Sequence, residues 1–276
     1  MKKKPTNKTV YTAIANKWKK GGPPARPTPD EIKSIFEPHF KNVSRAVFRN
    51  KKRKARVLIL GATPELRDLA LKCKMITWSI DINPNMMKAM SKLMKHRKKG
   101  KIVINNWLTM SRILPKEYFD LIISEQSYNI VPLKKWDKFS KEIKKVIQKD
   151  GHIIFKFTTV PKNRRKFNPA IKQFSQDKLK AGDMVFISHF SPDLPIYNSQ
   201  RGIVDLKKQP PFIDKALKER VINQKQWRNH ENIMGKIERS GLKLNVLSNQ
   251  DTLVHLRKYF KILRIDTVKI STYVNI

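Results

Sequence analysis

The sequence predicts an α/β fold: a doubly wound, Rossmann-like, mostly parallel sheet, with a cap or insertion after the fifth strand. Two observations carry that prediction. Short, wholly apolar runs recur between residues 56 and 158, and such runs suit strands buried on both faces. Segments with apolar residues three and four apart separate these runs, as amphipathic helices require. Strands alternating with helices form right-handed βαβ units, and these generate a doubly wound sheet.

The elements follow in order. Residues 1–30 are polar, basic and rich in proline, with helix breaks at Gly21-Gly22-Pro23-Pro24 and Pro27-Thr28-Pro29. Asp30-Glu31 starts a helix over about 30–48, its acids at the positive end of the helix dipole. Val57-Leu58-Ile59-Leu60 is the first strand, ended by Gly61, and Pro64 opens the helix that follows. Met75–Ile82 is the second strand; Met86, Met87, Met90, Leu93 and Met94 then line one helix face. Lys101–Asn105, Phe119–Ser124 and His152–Phe157 are the third, fourth and fifth strands, with a helix near 134–148. The expected organisation is a basic N-terminal arm and lid helix over 1–45, then one domain over 46–276. Within that domain, 159–226 is a cap and 249–276 closes the sheet, with a helix at Asn249–Tyr259 and strands at Lys261–Asp266 and Ile270–Ile276.

Composition excludes several classes. One cysteine, Cys73, rules out an internal disulfide scaffold and a Cys-based zinc module within the chain. The six histidines lack metal-ligand spacing, so no metal is expected. No apolar run approaches the roughly 18–20 residues of a membrane span, and the N-terminus lacks a secretory leader; a soluble, cytoplasmic protein is expected. The net charge of +38 invites a nucleic-acid partner. Yet lysine, isoleucine and asparagine are all abundant, a bias that AT-rich coding would also produce. Two clusters stand out as an RNA footprint: Lys51, Lys52, Arg53, Lys54 with Arg56, and Arg164, Arg165, Lys166.

In a doubly wound sheet, ligands bind outside the carboxyl ends of the strands, so the residues just after each strand are informative. Gly61 permits a tight turn and close approach of a ligand. The fingerprint G-x-G-x-x-G is absent, because Thr63 and Leu66 stand where glycines would; this disfavours a dehydrogenase. Asp81, twenty residues on, suits the two hydroxyls of a ribose, or else a helix cap. Asn105-Asn106-Trp107 offers base-edge hydrogen bonding and apolar area, or a turn. Ser124-Glu125-Gln126-Ser127-Tyr128-Asn129 sets polar groups at the expected mouth of the site.

Together V-L-I-L-G-A-T-P-E-L, S-I-D-I-N-P-N-M-M, N-N-W-L, F-D-L-I-I-S-E-Q-S-Y-N and V-I-Q-K-D-G-H-I-I-F resemble class I S-adenosylmethionine-dependent methyltransferases. The likeness extends to a prokaryotic group with a G-x-T-P-E-L first motif and an upstream W…R-P-x-P-D/E segment, here Trp18 and Arg26–Asp30. The resemblance implies S-adenosyl-L-methionine as cofactor. Gly61, Ala62, Thr63 and Glu65 would cradle its methionine part and Asp81 its ribose. Ile82 and Met86 would flank the adenine, Asn106 and Trp107 would meet the base, and Glu125 and Gln126 would face the reacting end. Trp18 and Arg26 would fold over the cofactor, and Phe186, His189, Phe190 and Tyr197 would cover the acceptor.

The expected activity is in-line methyl transfer to a small-molecule acceptor, which needs alignment more than a catalytic triad. Glu125, Tyr128 and His189 are the candidate bases where the acceptor arrives protonated. The S-E-Q-S-Y-N segment lacks the N/D/S-P-P-Y/F motif of enzymes acting on exocyclic base nitrogens. The alternatives are an RNA methyltransferase using the basic clusters, and a non-enzymatic nucleic-acid-binding protein on the same scaffold.

Overall fold

A computed structural model of the chain describes residues 15, 26–96, 99–160, 166–172, 181–239 and 241–266. The described chain divides into two compact units. One comprises Arg26–Phe157 with Lys258–Lys261; the other contains Thr158–Arg257.

The first unit holds the expected sheet. Its strands are β1 (Arg56–Leu60), β2 (Ile76–Asp81), β3 (Lys101–Ile104), β4 (Phe119–Glu125) and β5 (Ile147–Lys156). Their order is β3-β2-β1-β4-β5, every pairing parallel. The chain begins at the centre and winds outward first one way and then the other, as the alternation of strands and helices predicts. Strand β5 runs longer than expected, through Asp150-Gly151, with a register shift opposite Phe119–Leu121. Gly151 makes this possible: a β-carbon there would lie 2.5 Å from Ile147 and 3.0 Å from the Phe119 carbonyl.

Helices cover the sheet. A Pro29–Glu31 turn passes through a π-helical turn, Ile32–Phe36, into α1 (Glu37–Lys51). Helix α2 (Pro64–Lys72) follows β1, and Phe40, Val43 and Val47 of α1 join Leu66, Leu69 and Ala70 of α2 on Val57, Ile59, Leu121 and Ile123. The alternation of the strands thus sends one set of side chains into this core. Helix α3 (Pro84–Ser91) is capped by Asn83, whose side chain accepts from the Met86 amide. A four-residue helix, α4 (Ser127–Ile130), and α5 (Trp136–Val146) lie between β4 and β5.

The second unit contains α6 (Phe167–Lys172), α7 (Ala181–Phe190), α8 (Pro210–Lys218), α9 (Gln224–Ile233) and α10 (Gly235–Arg239). A small antiparallel sheet, β6-β7-β8, is built from Tyr197–Asn198, Ile203–Asp205 and Lys243–Asn245. Phe167, Ile171, Met184, Ile213 and Ile222 centre its core. Helix α11 (Asn249–Arg257) matches the expected helix. The strand expected at 261–266 does not form; those residues are irregular. The strand expected at 270–276 lies outside the described residues. No helix among the described residues is long and apolar enough to cross a membrane.

Candidate functional site

Sheet register aligns the strand ends. Leu60 pairs with Ile80 and Ser124, Asp81 with Ile104, and Glu125 with Lys156. Gly61, Asp81, Asn105, Glu125 and Lys156 therefore emerge along one edge. Gly61 has φ +113°, where other residues are strained, and its amide donates to the Ile80 carbonyl at 2.9 Å. Among the described residues, a β-carbon at Gly61 would meet the Trp107 ring, at 4.0 Å, and nothing nearer.

Asp81 closes β2 beside Gly61. Its carboxylate accepts from the Asn83 amide at 2.7 Å. Burial pushes its pKa up to about 6, against the backbone hydrogen bonds of Asn83 and Ile82 that lower it. Two backbone amides donate to it among the described residues, so the carboxylate keeps capacity to accept further hydrogen bonds. The helix cap is Asn83 rather than Asp81. Ile82 is exposed beside it, whereas Met86 is buried in α3.

The segment after β3 divides its roles. Asn106 Oδ1 accepts from the Leu108 amide at 2.9 Å and caps a 3-10 helix, Trp107–Arg112. The capping alternative thus holds for this oxygen. Trp107 donates its indole N–H to the Ile80 carbonyl at 2.9 Å, and its ring lies beside Gly61 and Phe139. It forms an apolar wall over the β1–β2 crevice rather than a hydrogen-bond donor to a base.

Glu125 lies in a network that neither composition nor spacing revealed. Its Oε2 accepts from the Thr63 hydroxyl at 2.9 Å, and its Oε1 lies 3.2 Å from Lys156 Nζ. Lys156 Nζ also lies 2.8 Å from Glu31 Oε1. Burial pushes the Glu125 pKa up to about 6, opposed by Lys156 and Thr63. Glu31 belongs to a capping box: Thr28 Oγ1 accepts from the Glu31 amide, and Glu31 Oε2 accepts from the Thr28 amide at 2.6 Å. This box holds the turn after Arg26, whose Nε lies 3.2 Å from Glu65 Oε1. Arg26 Nε and Nη1 and Glu65 Oε2 are buried without a hydrogen-bond partner, and burial raises the Glu65 pKa. The two side chains thus pair with each other beside the first loop while some of their polar atoms make no hydrogen bond. The sequence signal for Lys156 was available: a lysine inside the apolar run H-I-I-F-K-F needs a buried anion.

Other candidates move away from this edge. Gln126, with φ +58°, turns the chain from β4 directly into α4. That turn buries Tyr128 among Trp136, Phe139 and Phe155, its hydroxyl 2.7 Å from Ser140 Oγ. Burial raises the phenol pKa far above its ordinary value, so Tyr128 is a core residue and not a base. His189 belongs to the second unit, buried, with Nε2 3.0 Å from Gln209 Oε1. Burial pulls its pKa down to about 4; its ring serves that unit's interior. Phe190 and Tyr197 pack against each other there. The Phe186 side chain, Trp18, Arg164 and Arg165 lie outside the described residues.

The basic cluster at Lys51–Arg56 is largely spent on structure. Arg53 makes a two-pronged pair with Asp120, at 2.7 and 2.8 Å. Lys51 reaches Gln148 and Asp150, and Arg56 stacks on Tyr118 at 4.1 Å. Only Lys52 and Lys54 of this group are exposed, as is Lys166 of the other cluster. Asp120 and Asp150 sit at or near the amino ends of their strands, opposite the edge that carries Gly61 and Asp81.

The strand order defines a Rossmann-like fold. Residues 60–155 match the family model for a methyltransferase domain. Two solved structures share the fold across most of the chain. The PH0226 protein of Pyrococcus horikoshii is 14% identical, covers 85% of this chain and 86% of its own, and gives a TM-score of 0.50. A Rhodobacter sphaeroides protein provisionally named a Zn-dependent alcohol dehydrogenase is 11% identical, covers 90% and 83%, and gives 0.54. No curated protein matches the sequence.

Proposed function

We propose that the edge formed by Gly61, Asp81, Trp107 and Glu125 holds S-adenosylmethionine for methyl transfer to a small-molecule acceptor. The observation that carries this is Asp81: a desolvated, under-hydrogen-bonded carboxylate one strand from an open glycine turn. Asp81 receives the ribose hydroxyls. Ile82 and the Trp107 ring provide apolar surface for the adenine. Gly61, Ala62 and Thr63 give backbone room for the methionine part, and Arg26 with Glu65 matches its carboxylate and ammonium.

S-adenosylmethionine supplies a methyl group on a sulfonium, an electrophile strong enough to need no protein nucleophile. The protein's task is to align the acceptor at near-attack distance and keep water out. With Tyr128 and His189 buried, Glu125 is the base candidate that remains at the edge. Its two oxygens are already held by Thr63 and Lys156, so it suits orienting the loop better than taking a proton. An acceptor that arrives deprotonated, or loses its proton to water, fits this site. The small-molecule acceptor is supported by the structural use of Arg53 and Lys51, which removes part of the RNA footprint.

Thermal unfolding with S-adenosylmethionine, S-adenosylhomocysteine and NAD tests this. A ligand at 100 times its dissociation constant adds about 2.7 kcal/mol, or several degrees at roughly 2–4 °C per kcal/mol. The expected result is a shift with the first two and none with NAD. A shift with NAD alone would overturn the assignment. Labelled S-adenosylmethionine with separated small-metabolite and RNA fractions tests the acceptor: label in the RNA would refute a small molecule.

A further inference from the structure

We infer that Lys156 is a positioning residue of the cofactor site, fixing the Gly61–Glu65 loop from two directions at once. The inference rests on the cofactor assignment above.

Lys156 ends β5, in register with Glu125 at the end of β4. Its side chain is 10% exposed, against 8% for Glu31 and 4% for Glu125. The first route runs from Nζ through Glu125 to the Thr63 hydroxyl, at 3.2 and 2.9 Å. Thr63 precedes α2 and its hydroxyl makes no cap bond to that helix; it is held by Glu125 instead. The second route runs from Nζ to Glu31 at 2.8 Å, through the Thr28–Glu31 capping box, to the turn that carries Arg26 against Glu65. Both routes end on the same five-residue loop, one at its third residue and one at its fifth.

A purely stabilising role accounts poorly for this arrangement. Buried ion pairs add little stability over apolar residues of similar volume. One carboxylate would also neutralise one ammonium, yet two converge on Lys156. The second route terminates in Arg26 and Glu65 atoms that are buried and lack hydrogen-bond partners. A network that holds unsatisfied groups in place is preorganised for a ligand that satisfies them. Lys156 touches neither reacting atom in this scheme; it acts through Glu125 and Glu31.

The test measures S-adenosylhomocysteine affinity by calorimetry at pH about 8 and about 5.5, on the full chain, for wild type, Lys156→Met, Lys156→Arg and Glu31→Gln. Without the ammonium, Glu31 and Glu125 face each other uncompensated. Lys156→Met is expected to weaken binding about tenfold or more at the higher pH. Much of that loss should return at the lower pH, where Glu125, whose pKa of about 6 rises further once Lys156 is gone, takes up a proton. Lys156→Arg should stay within about threefold of wild type, and Glu31→Gln should lose a few-fold. Lys156→Met within twofold of wild type at both pH values overturns the inference. A loss equal at both pH values and shared by Lys156→Arg reduces Lys156 to a structural role and also overturns it. Should Lys156→Met fail to fold, Glu31→Gln decides: binding within twofold of wild type refutes the second route and the inference with it. Wild type that binds no S-adenosylhomocysteine refutes the cofactor assignment itself, a different failure.

Discussion

Asp81 sets stability against binding within one side chain. Its folded pKa, about 6, lies above the ordinary carboxylate value because burial removes water from the ionised form. A carboxyl whose folded pKa is raised binds its proton more tightly in the folded state. The ligand-free fold therefore loses stability as pH rises from about 4 through 6, and the loss is complete above that window. With some residual exposure, the amount is on the order of 2 kcal/mol. Asp81→Asn is expected to raise the melting temperature of the ligand-free protein at pH 7.5 by several degrees and to change it little at pH about 4. The same substitution should weaken S-adenosylhomocysteine by about tenfold or more, since an amide oxygen accepts less strongly than a carboxylate. Equal melting curves at neutral pH would show that Asp81 is well solvated. Asp81 was legible in the sequence because its distance from Gly61 follows from one βαβ unit. The burial of Tyr128 was not legible, because the αL turn at Gln126 carries no glycine to mark it. The lysine in H-I-I-F-K-F marked Lys156 as needing an anion, but its pairing with Glu31 joins residues far apart in the chain, which no local pattern records.

At the level of elements, the two ends of the sheet do different work. The carboxyl ends leave Asp81 under-hydrogen-bonded and Arg26 and Glu65 partly unsatisfied. The amino ends are saturated: Asp120 accepts twice from Arg53 and once from the Arg56 amide, at 2.7–2.8 Å. This pairing ties the segment after α1 to β4. Asp120→Asn keeps the shape and removes the charge, leaving a guanidinium with a weak acceptor. It should lower unfolding stability by about 3 kcal/mol, read as a lower urea midpoint with an unchanged slope. S-adenosylhomocysteine affinity, measured well below that midpoint, should stay within about twofold. A matched loss of binding would show that the two ends are coupled. The five strands were legible because parallel strands buried on both faces need unbroken apolar runs. The second unit was not: β6, β7 and β8 are two or three residues long, too short for any alternation to register. The 261–266 segment read as a strand because Ile262 and Ile265 favour strands. With Leu263 and Ile265 exposed, no neighbour among the described residues completes a ladder there.

For the whole molecule, a charge of +38 on 276 residues is a cost to folding wherever acids do not offset it. Many described acids are already committed to local partners: Asp120 to Arg53, Asp150 to Lys51, Glu37 to Lys41 and Lys72, Glu142 to Lys145, Glu31 and Glu125 to Lys156. Those pairs are short-range and partly buried, so added salt weakens them little. The surplus lysines repel one another across the surface, over distances comparable to the Debye length of about 8–10 Å. Raising sodium chloride from about 20 to about 300 mM should therefore raise the melting temperature, by about 3 °C or more. S-adenosylhomocysteine carries no net charge, so its affinity should change by less than about threefold over the same range. RNA should behave oppositely. Any binding driven by the lysine surplus should fall steeply with salt, as counterion release requires, and should transfer no label from S-adenosylmethionine. A melting temperature that falls with salt would show that favourable ion pairs outweigh the surface repulsion. RNA binding that survives at about 300 mM would point instead to contacts beyond charge, and would make RNA the acceptor to test first.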